Sequence, residues 1–69
     1  MLVVRVNGEE RRLPAGATVA DAVRATGAEA GARGVAVALE NEVVPRGEWG
    51  STRLSHGARI EVLQAVQGG

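Results

Sequence analysis

Hydrophobic and polar positions alternate at the start of the chain. Leu2, Val4 and Val6 lie on one side and Met1, Val3 and Arg5 on the other. A period of two with β-branched residues predicts a strand. Asn7-Gly8 follows; both tolerate positive φ, so the pair predicts a two-residue hairpin turn of type I′. The returning strand, Glu9 to Leu13, is polar, as suits an edge strand whose charges discourage stray pairing. Pro14, which has no N–H for a ladder, ends it. The period then lengthens. In "ATVADAVRATG", Val19, Ala22, Val23 and Thr26 fall at i, i+3, i+4 and i+7, one narrow apolar helix face. Thr18 and Asp21 are placed for a capping box, and Gly27 for a left-handed stop. Residues 28–34 are small or polar and predict a loop.

Val35 to Leu39 predicts the next strand, Glu40-Asn41-Glu42 a turn, and Val43-Val44 a short return strand closed by Pro45. Residues 46–52 carry no period. "SHG" at 55–57 predicts a turn, and 58–63 alternates again, with Ile60 and Val62 on one side. The order is β-β-α-β-β-β, an α+β class. One helix covers one face of a sheet, and antiparallel pairs leave the other face free to meet water. The helix is expected against Leu2, Val4, Val6, Val37, Leu39, Ile60 and Val62. The opposite face then shows Val3, Arg5, Ala36, Ala38, Arg59, Glu61 and Leu63. Of these, Val3, Arg5, Arg59, Glu61 and Leu63 are expected to dock a partner, with Val3 and Leu63 exposed among the charges. Trp49 is expected to plug an edge of the core.

Composition narrows the function. Eight Arg balance eight Asp and Glu, and Lys is absent. Zero net charge argues against nucleic acid and against a membrane surface. The lone aromatic, Trp49, cannot build a base-stacking platform. No apolar run approaches the roughly 20 residues of a membrane helix. Without cysteine there is no disulfide framework and no thiolate metal site. The chain is therefore expected to be soluble and cytoplasmic.

Catalytic parts are scarce. The single His56 sits in a predicted turn beside Ser55, and neighbours in sequence do not converge as a triad does. Glu9-Glu10 and Arg11-Arg12 are strand neighbours that point to opposite faces. No three residues have metal-ligand character and spacing. The glycines of "PAGAT" and "GEWG" lack the Lys-Ser/Thr of a phosphate loop. What stands out is the closing stretch 65–69, expected as a flexible tail on a 1–64 domain: Val66, Gln67, Gly68 and Gly69. Two glycines make a segment thin and conformationally free. A terminal glycine carboxylate threads a narrow site of another protein and, once converted to an acyl adenylate with ATP, becomes an electrophile for a sulfur nucleophile. A protein used in this way needs no catalytic side chain.

These residues resemble the sulfur carrier proteins of thiamin biosynthesis, bacterial relatives of ubiquitin. The likeness runs through "VNGEERRLPAGATVADAV" at 6–23, "VALENEVVPRGEW" at 37–49 and Gly68-Gly69. It implies a ubiquitin-like β-grasp fold, a mixed sheet with one helix packed on one face. It implies no bound cofactor, with ATP used by the activating partner. That partner would be an E1-like adenylyltransferase acting on Gly69. A cysteine desulfurase would be the sulfur source, and the Gly69 thiocarboxylate would deliver sulfur to thiazole synthase. The small subunit of molybdopterin synthase, a ubiquitin-like protein modifier and a regulatory β-grasp module remain as alternatives.

Overall fold

Leu2–Val6 and Glu9–Leu13 form strands β1 and β2, antiparallel, with Val6 opposite Glu9 and Leu2 opposite Leu13. Asn7 and Gly8 turn the hairpin with φ of 53° and 81°, both in the left-handed region. This computed structural model describes residues 1–28 and 34–64; the loop expected at 28–34 lies mostly outside them, and the tail at 65–69 wholly so. Helix α1 (Val19–Ala25) follows, then β3 (Val35–Leu39), β4 (Glu42–Val43), a 3₁₀ turn (Arg46–Glu48) and β5 (Arg59–Gln64). The strands form one sheet in the order β2-β1-β5-β3-β4. The central pair, β1 and β5, is parallel and the other pairs are antiparallel. This is the mixed sheet that the β-grasp resemblance implies.

The helix side of the sheet holds the core. Val4, Val6, Leu13, Val35, Val37, Ile60 and Val62 are buried together with Val19, Ala22 and Val23 of α1, while Leu2 and Leu39 pack half-buried beside them. Trp49, 3% exposed, fills the core edge as expected and donates its indole N–H to the Val44 carbonyl at 2.9 Å. The Arg46 guanidinium lies 5.0 Å from the centre of its ring.

Residues 46–52, which carry no sequence period, have a structural task. The first N–H groups of a helix have no intrahelical acceptor. Here Val19 N–H donates to the Thr52 carbonyl at 2.9 Å, and Ala20 N–H to the Trp49 carbonyl at 3.1 Å. Asp21 completes the cap. Its carboxylate accepts the Thr18 N–H at 2.8 Å and the Thr18 hydroxyl at 3.2 Å, and pairs with Arg24. The Thr18 N–H bond, more than Arg24, holds the Asp21 carboxyl below the usual aspartate range.

Three expectations shift. Strand β4 is Glu42–Val43, because Val44 turns into the core while its N–H still donates to the Val37 carbonyl. Strand β5 begins at Arg59 and ends at Gln64, one residue later than the alternation predicts at each end. Residues 46–48 form a 3₁₀ turn in place of irregular chain.

Candidate functional site

Cross-strand register decides which side chains share the open face, because partners in register point the same way. Arg5 stands opposite Glu10 on β2 and Arg59 on β5. Val3 stands opposite Arg12, Glu61 opposite Ala38, and Leu63 opposite Ala36. Val43 stands opposite Ala38. All five expected docking residues, Val3, Arg5, Arg59, Glu61 and Leu63, therefore fall on the face away from the helix.

The face divides by chemistry. Toward the start of β5, Arg5 and Arg59 sit side by side and line a hollow of about 400 Å³ with Gly8 and Ile60. Arg5 donates to the Gly8 carbonyl at 3.3 Å, and among the described residues neither arginine is ion-paired. Toward the end of β5 the face is mainly apolar, with the exposed Glu61 among its aliphatic residues. Leu63 is 64% exposed and Val43 is 77% exposed, with Ala36 and Ala38 between them in the sheet.

One placement differs from expectation. Val3 is half-buried and does not stand exposed beside Leu63. The 55–57 turn packs along β1 there. Gly57 N–H donates to the Val3 carbonyl at 2.7 Å, and the Val3 N–H donates to His56 Nδ1 at 3.2 Å. Val43 is the apolar contributor that the alternation argument missed. Its signal was in the sequence: counting back from the Glu40-Asn41 turn puts Val43 in register with Ala38.

The described residues offer no catalytic constellation. His56 is exposed, and its Nδ1 is engaged by main chain rather than by Ser55. It lines a shallow hollow of about 250 Å³ with Leu39, Glu40, Arg53 and Ser55. Among the described residues, no group of three His, Asp or Glu could hold a metal ion. No described helix is long and apolar enough to cross a membrane. Glu40, at φ 49°, has a main-chain role: its carboxylate accepts the Arg59 N–H at 2.6 Å where β5 begins.

At its other end β5 runs out at Gln64, paired with Val35 of β3, and the expected tail residues Val66, Gln67, Gly68 and Gly69 follow it outside the described residues. The site is thus an arginine-and-apolar sheet face on the strand that leads to the Gly-Gly stretch.

A family model described as the ThiS family matches residues 4–69. The chain belongs to the ThiS family. The crystal structure of the thiamine biosynthesis protein (ThiS) from Geobacter metallireducens is similar to it with a TM-score of 0.74 and 27% identity, over 99% of this chain and 100% of that one. The solution structure of a thiamine biosynthesis protein from the same organism gives a TM-score of 0.74 at 25% identity, over 99% of this chain and 88% of that one. No curated protein sequence is significantly similar to the chain. The fold is accordingly the ubiquitin-like β-grasp of ThiS structures. The family match extends through both closing glycines.

Proposed function

We propose that this ThiS-family chain is a sulfur carrier of thiamin biosynthesis whose reactive group is the Gly69 carboxylate. The observation that carries the reading is the family match through residue 69, on a domain whose described residues assemble no catalytic group of their own. A carboxylate oxygen of Gly69 attacks the α-phosphorus of ATP in the site of an E1-like adenylyltransferase, and pyrophosphate leaves. The acyl adenylate is then open to a sulfur nucleophile, which displaces AMP. That nucleophile is the persulfide formed when a desulfurase mobilises sulfur from cysteine; a thiol reductant then cleaves the S–S bond of the resulting acyl disulfide and leaves the Gly69 thiocarboxylate, which passes its sulfur to thiazole synthase. Gly68, Gln67 and Val66 thread the partner's channel, where the absence of side chains at both glycines lets main chain approach closely. The chain is a co-substrate in this scheme and binds no cofactor itself.

The open face supplies recognition. Leu63, Val43 and the alanines offer an apolar contact, and Arg5 and Arg59 offer positive charge to an acidic rim on the partner.

Intact mass spectrometry tests the reading after incubation with ATP, the adenylyltransferase and a sulfur source. A gain matching replacement of one oxygen by sulfur, absent when Gly69 is deleted, is the expected result. No gain, with the partner shown active on another carrier, would overturn it. Isopeptide adducts in place of the gain would point to a protein modifier, and delivery of the sulfur to molybdopterin would move the acceptor.

A further inference from the structure

Asn7 stands where β1 ends and the hairpin turns away. Along the edge shared with β5, Arg5 N–H donates to the Ala58 carbonyl and Asn7 N–H to the Ile60 carbonyl, each at 2.9 Å. The next β5 residue facing that edge is Val62. No β1 residue remains to meet it, because the chain reverses at Asn7-Gly8. The Asn7 side chain meets it instead. Its Oδ1 accepts the Val62 N–H at 2.8 Å, and its Nδ2 donates to the Val62 carbonyl at 3.1 Å. A primary amide carries the acceptor and the donor of a peptide unit. One side chain thus replaces a rung of the parallel ladder, and both bonds are partly buried. On the opposite edge β3 supports β5 as far as Gln64.

We infer that Asn7 is a positioning residue for the carrier's reactive end. It holds the main chain of Val62, and with it the strand segment that bears the docking residue Leu63 and hands the chain to residues 65–69. This rests on the carrier reading above. Freed from Asn7, the end of β5 would be held on one edge only. Leu63 and the root of the tail would then sample several arrangements, and the fraction competent for reaction would fall. The partner would still find Arg5, Arg59 and Val43, so the loss belongs in kcat more than in KM.

Two variants isolate the side chain. Asn7→Gly keeps a residue at ease with φ 53° and removes the amide. Asn7→Asp keeps the acceptor for the Val62 N–H but sets a carboxylate oxygen against the Val62 carbonyl. Three quantities are read: amide exchange by NMR, thermal melting, and adenylation kinetics as ATP–pyrophosphate exchange with the adenylyltransferase. In Asn7→Gly, Val62 exchange is expected to rise by about tenfold or more while Val37 keeps its protection, the scale of two lost hydrogen bonds opening locally. The kcat for adenylation is expected to fall by about tenfold, below the melting temperature, with KM changed far less. Asn7→Asp is expected to fall between native and Asn7→Gly, and its Val62 amide resonance to titrate with the new carboxyl. Unchanged Val62 exchange in either folded variant overturns the inference. So does faster exchange with unaltered kcat, which assigns Asn7 a structural role only. If the native chain is itself not adenylated, the carrier reading falls first, a result distinct from a native chain that reacts and a variant that reacts equally well.

Discussion

Asp21 does more than one residue's share of work at the start of α1. Its carboxylate accepts from the Thr18 N–H and hydroxyl and pairs with Arg24. Because the folded state holds this carboxyl below its ordinary pKa, the unfolded chain binds its proton more readily. The associated stability is therefore present above the ordinary aspartate range and is lost as pH falls through the lowered value. Calorimetric melts from pH 7 downward should show the midpoint falling below about pH 4. Asp21→Ala should lower the neutral-pH midpoint by an amount matching a lost cap of about 1 kcal/mol, and should flatten part of the acid decline. An acid decline identical to the native one would show that other carboxylates cause it. Trp49 is the second residue on which much depends, since its indole N–H donates to a carbonyl inside the core. Trp49→Phe keeps most of the ring but strands the Val44 carbonyl, a cost of about 1–3 kcal/mol. Circular-dichroism melts should register that loss, and an unchanged midpoint would mean that water replaces the indole.

Among the elements, legibility in the sequence followed how local the cause was. The β1–β2 hairpin was readable because Asn7-Gly8 and strict alternation are short-range signals, and α1 because its period, Thr18, Asp21 and Gly27 agree. Residues 46–52 were not readable. Local bonds such as Glu48 N–H to the Pro45 carbonyl shape the segment without any apolar period, and its task is set about thirty residues earlier, where the Val19 and Ala20 N–H groups reach the Thr52 and Trp49 carbonyls. The open face was half legible. Alternation placed Arg5, Arg59, Glu61 and Leu63, but the main-chain bonds that tie Val3 to His56 and Gly57 span more than fifty residues of sequence. The Asn7 contact with Val62 was hidden for the same reason, since Asn-Gly announces a turn and says nothing of where the amide points. The hairpin yields a direct test. A Cβ at Gly8 meets nothing within 4 Å, so only its φ of 81° opposes a side chain. Gly8→Ala should therefore destabilise by about 1–2 kcal/mol through backbone strain alone. A neutral result in denaturant titration would mean that the turn relaxes to another type. Leu63→Glu tests strand β5 from the other side. A side chain 64% exposed contributes little to the fold, so stability should stay within about 0.5 kcal/mol of native. Partner affinity by calorimetry should drop by about tenfold or more. Equal affinity would remove Leu63 from the docking surface.

For the molecule as a whole, the proposed division of labour is between a folded recognition body and a reactive end. A glycine has no side chain to bury in a core, so the body should stand without the closing glycines. Deleting Gly68 and Gly69 should leave the melting temperature unchanged, and a large drop would make the tail part of the core. The chemistry demands the opposite sensitivity at the same place. Adenylation needs a free carboxylate at the point where the partner's site presents the α-phosphorus of ATP. A residue appended after Gly69 converts the Gly69 carboxylate into an amide, a far poorer nucleophile. It also moves the new carboxylate about 3.3 Å further along the chain. Displacements on the scale of 1 Å already cost about a hundredfold in well-oriented reactions. The extended chain should consequently fold, melt and dock as the native one does, and form no thiocarboxylate by intact mass spectrometry. A regulatory module that works through its face alone would be indifferent to the added residue. An extended chain that still carries sulfur would show that the Gly69 carboxylate is not required, and fragment masses would tell sulfur on the appended carboxylate from sulfur on a side chain of the folded body.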